Sequence, residues 1–128
     1  MGSYLIDSHV LLWSVENAPK LSKLAGDIIN DKNNRIFVSI ASLWEIHVKV
    51  SIGKLNIKPD FFEILDAADY RILNIEKTHL TELITLPHIH RDPFDRMIVA
   101  QARVEKCKLI TADPEIMKYD LKWIGAGE

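Results

Sequence analysis

Short apolar segments alternate with segments of helical periodicity along almost the whole chain. The apolar segments have the length of strands, and we predict strands at residues 4–6, 36–38, 71–75, 109–111 and 121–124. Helices are predicted between them, because apolar residues there recur at intervals of three and four. This alternation is typical of an α/β fold with a mostly parallel sheet. We therefore predict a three-layer α/β/α sandwich formed by one domain, residues 1–128.

The composition is that of a globular protein and excludes several functional classes. The 128 residues are 48% hydrophobic and 27% charged, and 16 basic against 18 acidic residues give a net charge of -2. The net charge therefore provides no overall attraction to nucleic acid, and a polyanionic partner needs a local basic patch or a bound cation. The single cysteine, Cys107, excludes an internal disulfide and fits a reducing compartment. With no secretory signal or membrane-length apolar run, we expect a cytoplasmic protein that does not contact a membrane.

Residues 92–102 have the features of a helix start with an acid in an unusual position. Asp92 can cap the helix and Pro93 suits its first position. Asp95 heads a stripe of apolar or small residues at +3, +4 and +7, so its carboxylate must be paired, hydrogen-bonded or metal-bound to remain ionised. The alternative is that Asp95 only completes the cap and favours the helix dipole. Arg96 is predicted on the opposite, solvent-facing side with Ala100.

Two further acids directly follow predicted strands. Asp7 ends the strand at 4–6 and Asp113 follows the strand at 109–111. Ligands of open α/β sheets bind at the carboxyl ends of the strands, where these side chains are expected. For Asp7 the alternative is a helix cap that contributes about 1 kcal/mol to stability.

The segment 39–53 is ambiguous between helix and strand. Residues 45–52 alternate between polar and apolar, but Ser39 and Ser42 can cap a helix and Gly53 can end one. We predict a helix whose apolar stripe is Ala41, Trp44, Val48 and Ile52. Glu45 then lies beside this stripe. The alternative is an ordinary surface pair between Glu45 and Lys49.

Four acids at one edge of a parallel sheet would repel one another unless they kept protons or bound a cation. Asp7, Glu45, Asp95 and Asp113 form such a set. A site made of oxygen ligands suits Mg²⁺, with Mn²⁺ as a second possibility. A bound cation of this kind lowers the pKa of water and stabilises charge on a scissile phosphate, which predicts phosphodiester hydrolysis. A zinc clasp by His88 and His90 is the weaker alternative, because no thiolate or third histidine stands at ligand spacing.

The segments 5–13, 42–46, 92–102 and 111–113 resemble, in this order, those of PIN-domain nucleases, and more narrowly those of VapC-type toxins of bacterial toxin–antitoxin pairs. The resemblance covers nearly the whole chain. It implies a magnesium-dependent endoribonuclease that is often homodimeric and is inhibited by a cognate antitoxin. The acidic metal-binding positions of the family fall on Asp7, Glu45, Asp95 and Asp113. Thr111 is expected to support the water or an acid, and Ser8 stands where threonine is frequent.

Four side chains, three cations and a neutral histidine, are candidates for contact with RNA phosphates. These are His9, Arg91, Arg96 and Lys49, each of which could instead be a solvated or packed side chain. Two other functions fit parts of the pattern. One is a non-catalytic PIN-like module that binds nucleic acid. The other is phosphotransfer of the haloacid-dehalogenase type with Asp7 as nucleophile, although His9 replaces the acid expected two residues on.

Overall fold

A computed structural model of the protein describes residues 2–127. Within them the chain forms, in order, β1 (Ser3–Ile6), α1 (Ser8–Val15), α2 (Lys23–Asn30), β2 (Arg35–Ser39), α3 (Ile40–Ser51), α4 (Phe61–Ala67), β3 (Arg71–Leu73), α5 (Lys77–Thr85), α6 (Pro93–Glu105), β4 (Lys108–Thr111) and β5 (Trp123–Gly125). A 3₁₀ turn, Ile116–Lys118, precedes β5. None of the helices in this part of the chain is both long and apolar enough to cross a lipid bilayer.

The strands form one sheet with the order β3-β2-β1-β4-β5, and every neighbouring pair is parallel. The chain builds outward from β1 through β2 to β3, and then returns to the other side of β1 with β4 and β5. The strand order therefore reverses between β1 and β4. Ligands of open α/β sheets bind in the crevice at this kind of reversal, beyond the carboxyl ends of the strands.

Helices cover both faces of the sheet, which confirms the predicted three layers. Along β1, Ile6 packs in the cluster formed by α1, α2 and α4, whereas Leu5 packs in the cluster formed by α6. Along β4, Ile110 packs in the first of these clusters and Leu109 packs in the second. This alternation follows from the two-residue repeat of a strand. Because both faces are covered, both sets of strand residues are apolar.

The helix starts follow the predicted caps at three places. The side chains of Asp7, Ser39 and Asp92 accept hydrogen bonds from backbone N–H groups in the first turns of α1, α3 and α6. At α4 the sequence offers Asp60 as a cap by the same rule, but its side chain makes no cap hydrogen bond to that helix. The outer strands differ in extent from the prediction: β3 ends at Leu73, and β5 occupies 123–125.

Segment 39–53 is helical as predicted, but the predicted buried stripe was wrong. The side chain of Trp44 is 61% exposed, and Val48 and Ile52 are also exposed. α3 instead buries Glu45 and Ile46, together with Ala41 and Ser42. The reason is that α3 packs between α1 and α6, so the residues turned toward those two helices are covered whatever their polarity.

Candidate metal centre

At the point where the strand order reverses, between β1 and β4, one hydroxyl group contacts two acidic residues. Thr111, the last residue of β4, donates from Oγ1 to Asp7 Oδ2 at 2.6 Å and accepts from the Asp113 N–H at 3.0 Å. The other carboxylate oxygen of Asp7 accepts from the Val10 N–H at 2.9 Å. Asp7 is buried, and burial raises its pKa, whereas the hydrogen bonds from Thr111 and Val10 oppose that rise. Thr111 therefore sets the positions of acids on two adjacent strands.

Glu45 reaches the same edge of the sheet from α3. Its side chain is buried, and its Oε1 accepts from Ser8 Oγ at 2.7 Å. Lys49 Nζ lies 2.7 Å from Oε2, one helical turn further along. The predicted pair with Lys49 therefore exists, but it holds a buried carboxylate rather than a surface one. Both oxygens of Glu45 are thereby oriented by neighbours.

Asp95 and Asp113 meet at the imidazole of His90. His90 Nε2 lies 2.8 Å from Asp113 Oδ2 and 3.2 Å from Asp95 Oδ2. Its Nδ1 accepts from the Asp92 N–H at 3.0 Å. A neutral imidazole has one donor and one acceptor nitrogen, so this contact assigns the proton to Nε2. His90 therefore directs an N–H group toward the two acids, and in this orientation it is not a metal ligand.

The charges of the acids act on one another most clearly at Asp95. Its pKa is raised from 3.8 to about 7, first by burial and then by the charges of Asp92 and Glu45, with Asp7 adding to the effect and His90 opposing it. The charge of Asp113 in turn raises the pKa of Asp7. Carboxylates from β1, α3, α6 and the segment after β4 are thus close enough to disfavour one another's ionised forms.

Burial lowers the pKa of His90, but the hydrogen bond to Asp113 and the charge of Asp95 outweigh it, and the net shift is upward. The N–H group of Asp92 that faces Nδ1 acts in the opposite direction, because a second ring proton would have to displace that hydrogen bond.

The two carboxylates that face His90 fit a hard divalent cation. Within residues 2–127, Asp95 and Asp113 bring carboxylate oxygens within 4.8 Å of each other and of a ring nitrogen of His90, whereas Asp7 and Glu45 are not part of this group. The Asp95 carboxylate contacts His90 Nε2 through Oδ2 at 3.2 Å, which leaves Oδ1 to bind an ion. Oxygen ligands of this kind suit Mg²⁺ or Mn²⁺. A cation would offset the repulsion that adds to burial in raising the pKa of Asp95 to about 7.

Comparisons with known proteins agree with this geometry. The family model of the PIN domain matches residues 4–122. The chain belongs to the PIN-domain family. The resemblance found in the sequence is therefore confirmed at the level of the family. A search of curated proteins found no match.

The PIN domain also resembles solved structures from bacteria. It aligns with a chain of VapBC2 from Rickettsia felis, solved bound to a promoter DNA fragment, with a TM-score of 0.75, 16% identity and coverage of 97% and 98% of the two chains. For DNA-bound VapBC from Salmonella typhimurium the TM-score is 0.72 and the identity 12%, with coverage of 97% of this chain and 98% of that chain. For VapBC-1 from nontypeable Haemophilus influenzae the TM-score is 0.66 and the identity 19%, with coverage of 95% of this chain and 96% of that chain. Similarity at this level of identity shows a shared fold.

The cations predicted to contact phosphates occupy different environments in this PIN domain. His9 and Arg91 are exposed. His9 lies with Lys49 and Lys54 along a cleft of about 310 Å³ that adjoins Glu45. Lys54 was missed in the sequence, because its spacing from Glu45 gives no helical register once α3 has ended.

The predicted solvent-facing placement of Arg96 was wrong, whereas its contact with phosphate stays a prediction. Its guanidinium donates to the Pro87 carbonyl at 3.0 Å and lies within 3.5 Å of the carbonyls of Leu83 and Leu86. Ala100, predicted on the same solvent-facing side, is fully buried. Arg96 therefore binds the carbonyl groups at the end of α5, which lack partners within that helix. Its donors are directed at the protein and not at solvent.

The histidines of segment 88–90 separate in the structure. His88 is exposed and lies outside the group of possible ligands, whereas His90 faces Asp95 and Asp113. The clasp in which both histidines bind zinc is therefore not formed by this backbone. The position of His90 beside the acids was missed in the sequence. Its place two residues before the Asp92 cap was the available signal, because a residue there lies over the first turn of α6.

Proposed function

We propose that this chain is a divalent-metal-dependent endoribonuclease, the toxin of a toxin–antitoxin pair, which hydrolyses RNA phosphodiester bonds. The observation that carries the proposal is that Asp95 and Asp113 bring carboxylate oxygens together at the reversal point of the sheet, where the charges of Asp7, Glu45, Asp95 and Asp113 act on one another. Membership of the PIN-domain family supports a nuclease. The carboxylate set supports a cation, with Mg²⁺ preferred and Mn²⁺ as the substitute.

We assign the metal ligands to the same four acids. When bound, the ion would lower the pKa of a water molecule and stabilise the charge that develops on the phosphate. Thr111 holds Asp7, and Ser8 holds Glu45, so that their oxygens keep a fixed orientation. A carboxylate of the cluster accepts the proton lost by the attacking water. The bond between phosphorus and the leaving oxygen of the RNA breaks as the new bond to phosphorus forms, and the leaving oxygen takes up a proton from solvent.

Lys49, Lys54, His9 and Arg91 are our candidates for contact with the RNA phosphates that flank the scissile bond. Three of them line the cleft beside Glu45. A local group of cations is needed, because the net charge of -2 gives no overall attraction to RNA.

A cognate antitoxin and a second copy of the chain are the proposed protein partners. The VapBC structures that share the fold are complexes of a toxin–antitoxin type. Exposed apolar side chains such as Ile84, which is 85% exposed, provide surface for protein contacts. Light scattering of the purified chain alone tests for the homodimer, and light scattering after addition of the product of a neighbouring small gene tests for the antitoxin. We place the pair in the cytoplasm.

The test of the nuclease is cleavage of end-labelled RNA in Mg²⁺, Mn²⁺ or EDTA by the wild type and by Asp7→Asn and Asp95→Asn. We expect each substitution to lower the rate at least about a hundredfold, since residues that only support metal ligands already cost ten- to a hundredfold. Asp66→Asn, an exposed acid on α4, is the matched control. Cleavage that persists in EDTA or in both variants contradicts the proposal.

Two other functions are less well supported. A phosphotransferase of the haloacid-dehalogenase type needs a second acid two residues after its aspartate nucleophile, and His9 stands at that position after Asp7. A non-catalytic binding module would retain RNA in Mg²⁺ without cleaving it, and the assay above separates this outcome.

A further inference from the structure

Two aromatic side chains stand beside the acidic cluster and have no part in the mechanism above. Trp44 immediately precedes Glu45 on α3, and Phe94 immediately precedes Asp95 on α6. Their rings are 5.1 Å apart between centroids and inclined at 79°, which is an edge-to-face pair. Each aromatic residue is thus the chain neighbour of a carboxylate that we assign to the metal.

The pair is fixed at one end and open at the other. The backbone of Phe94 is held by the cap of α6, because its N–H donates to Asp92 Oδ1 at 2.8 Å. Trp44 is 61% exposed although it packs against Phe94. In an edge-to-face pair each ring keeps at least one face that the other ring does not cover. The 61% exposure of Trp44 leaves the indole accessible to a third ring.

The aromatic pair and the basic cleft lie on opposite sides of Glu45. Successive residues of a helix are separated by about 100°, so Trp44 and Ile46 project to either side of Glu45. Trp44 contacts α6 through Phe94, whereas Ile46 faces α1 and lines the cleft with Lys49 and Lys54. A strand that crosses the acids would meet an aromatic face on one side and cations on the other. Single-stranded nucleic acids are bound by this combination.

We propose that Trp44, supported by Phe94, stacks on the base of a nucleotide that flanks the scissile phosphate of single-stranded RNA. The inference rests on the proposed nuclease function and narrows its substrate. A base in a duplex is already stacked on its neighbours, so it is not available to the indole without being extruded. The substrate is therefore an unpaired segment that passes from the aromatic pair across the acids to the cleft.

A protein partner is the competing occupant of this surface. Val48 and Ile52 continue from Trp44 along α3 and are also exposed. The proximity of Trp44 to two acids and to the cleft favours RNA, because a protein contact would not require an aromatic ring at this place. The two occupants differ in what they need from residue 44. RNA needs a ring, whereas an apolar protein surface accepts leucine as well.

The experiment measures binding of a fluorescent, unstructured RNA dodecamer by anisotropy in Mg²⁺, in an Asp95→Asn background that prevents cleavage. We expect Trp44→Leu to weaken binding about tenfold and Trp44→Phe to stay within about twofold, since base–aromatic stacking tolerates any ring. The control Trp123→Leu removes another exposed tryptophan, at the start of β5 and away from the carboxyl ends of the strands. It should leave the affinity unchanged.

A set of dodecamers with an abasic site at successive positions completes the test. At one position the missing base should weaken binding by the Trp44-bearing protein about tenfold and have no further effect on Trp44→Leu. Equal affinity of the leucine and tryptophan proteins, or equal losses in the leucine and phenylalanine variants, overturns the inference. So does a change in oligomeric mass without a change in RNA affinity.

Cleavage by the corresponding proteins with an intact Asp95 is measured in parallel. If RNA is cleaved and the Trp44 variants behave as wild type, the stacking inference fails while the nuclease stands. If the abasic pattern appears without cleavage, the nuclease fails while the stacking site stands. Because Trp44 is exposed, its variants are expected to fold, and thermal unfolding of each one checks this.

Discussion

The raised pKa of Asp95 makes the stability of the metal-free protein depend on pH in a defined direction. In the unfolded chain this carboxyl ionises near 3.8, whereas in the folded protein it ionises near 7. Between these values the folded state holds one more proton than the unfolded state. Stability from this group is therefore lost as the pH rises across the window, and the loss is complete above pH 7. Replacing Asp95 with Asn, which cannot ionise, should remove the loss.

The magnitude follows from the difference between the two pKa values. It corresponds to about 4 kcal/mol at 25 °C as an upper limit. The side chain retains 16% of its exposure, and solvent on the open side of the site screens the repulsion. We therefore expect Asp95→Asn to be more stable than the wild type by about 2 kcal/mol at pH 8, and by almost nothing at pH 4.

Urea unfolding in EDTA at half-unit steps from pH 4 to pH 8 measures this difference, with Asp66→Asn as the control for a lost surface charge. Saturating Mg²⁺ should reverse the order at pH 8, because an ion at about a hundred times its Kd stabilises the wild type by about 2.7 kcal/mol. A stability gap that is constant with pH, or an Asn variant that is less stable at pH 8, would refute the electrostatic reasoning.

Three further predictions concern residues around the site. Thr111→Val removes the donor to Asp7 and the acceptor for the Asp113 N–H, so we expect a loss of about 1–3 kcal/mol in urea unfolding and slower RNA cleavage; Thr111→Ser keeps the hydroxyl and should recover both. Arg96→Met should lower the unfolding free energy by about 1 kcal/mol with RNA affinity retained, and loss of affinity at unchanged stability would instead support the phosphate contact. Burial raises the pKa of the Cys107 thiol, so a disulfide reagent should label it slowly in the folded protein and rapidly in urea.

The three layers of the fold were predictable from local sequence patterns. A strand-length apolar segment indicates a strand that is covered on both faces, and a helical stripe indicates a helix that is covered on one face. Strand order was not, since it depends on which strands meet after the chain has turned back. The ends of the two outer strands were also not predicted correctly. β3 and β5 are short and lie at the edges of the sheet, and their ends are set by pairing with β2 and β4 and not by their own residues.

Part of the site was also predictable from local sequence patterns. Asp7 and Asp113 follow strands, and the ends of parallel strands share an edge whatever the strand order. The burial of Glu45 was harder to predict, because apolar residues of α3 that are exposed in the structure were predicted to form its buried stripe. Hydrophobic periodicity assumes that apolar residues are covered, and it fails where a helix exposes them next to a buried carboxylate. Such failures are expected at functional sites, where local rules are broken in favour of a ligand.

His90 shows where sequence reasoning stopped for a physical reason. Its role depends on one backbone contact, the Asp92 N–H group at Nδ1, which fixes the proton on Nε2 and directs it at Asp95 and Asp113. A helix cap was expected to satisfy the free N–H groups of α6, and Asp92 does so, but the N–H of Asp92 itself remained without an assigned acceptor. Buried or half-buried N–H groups rarely lack one. Accounting for that single donor would have brought the imidazole of His90 to the head of α6, and with it to the acids.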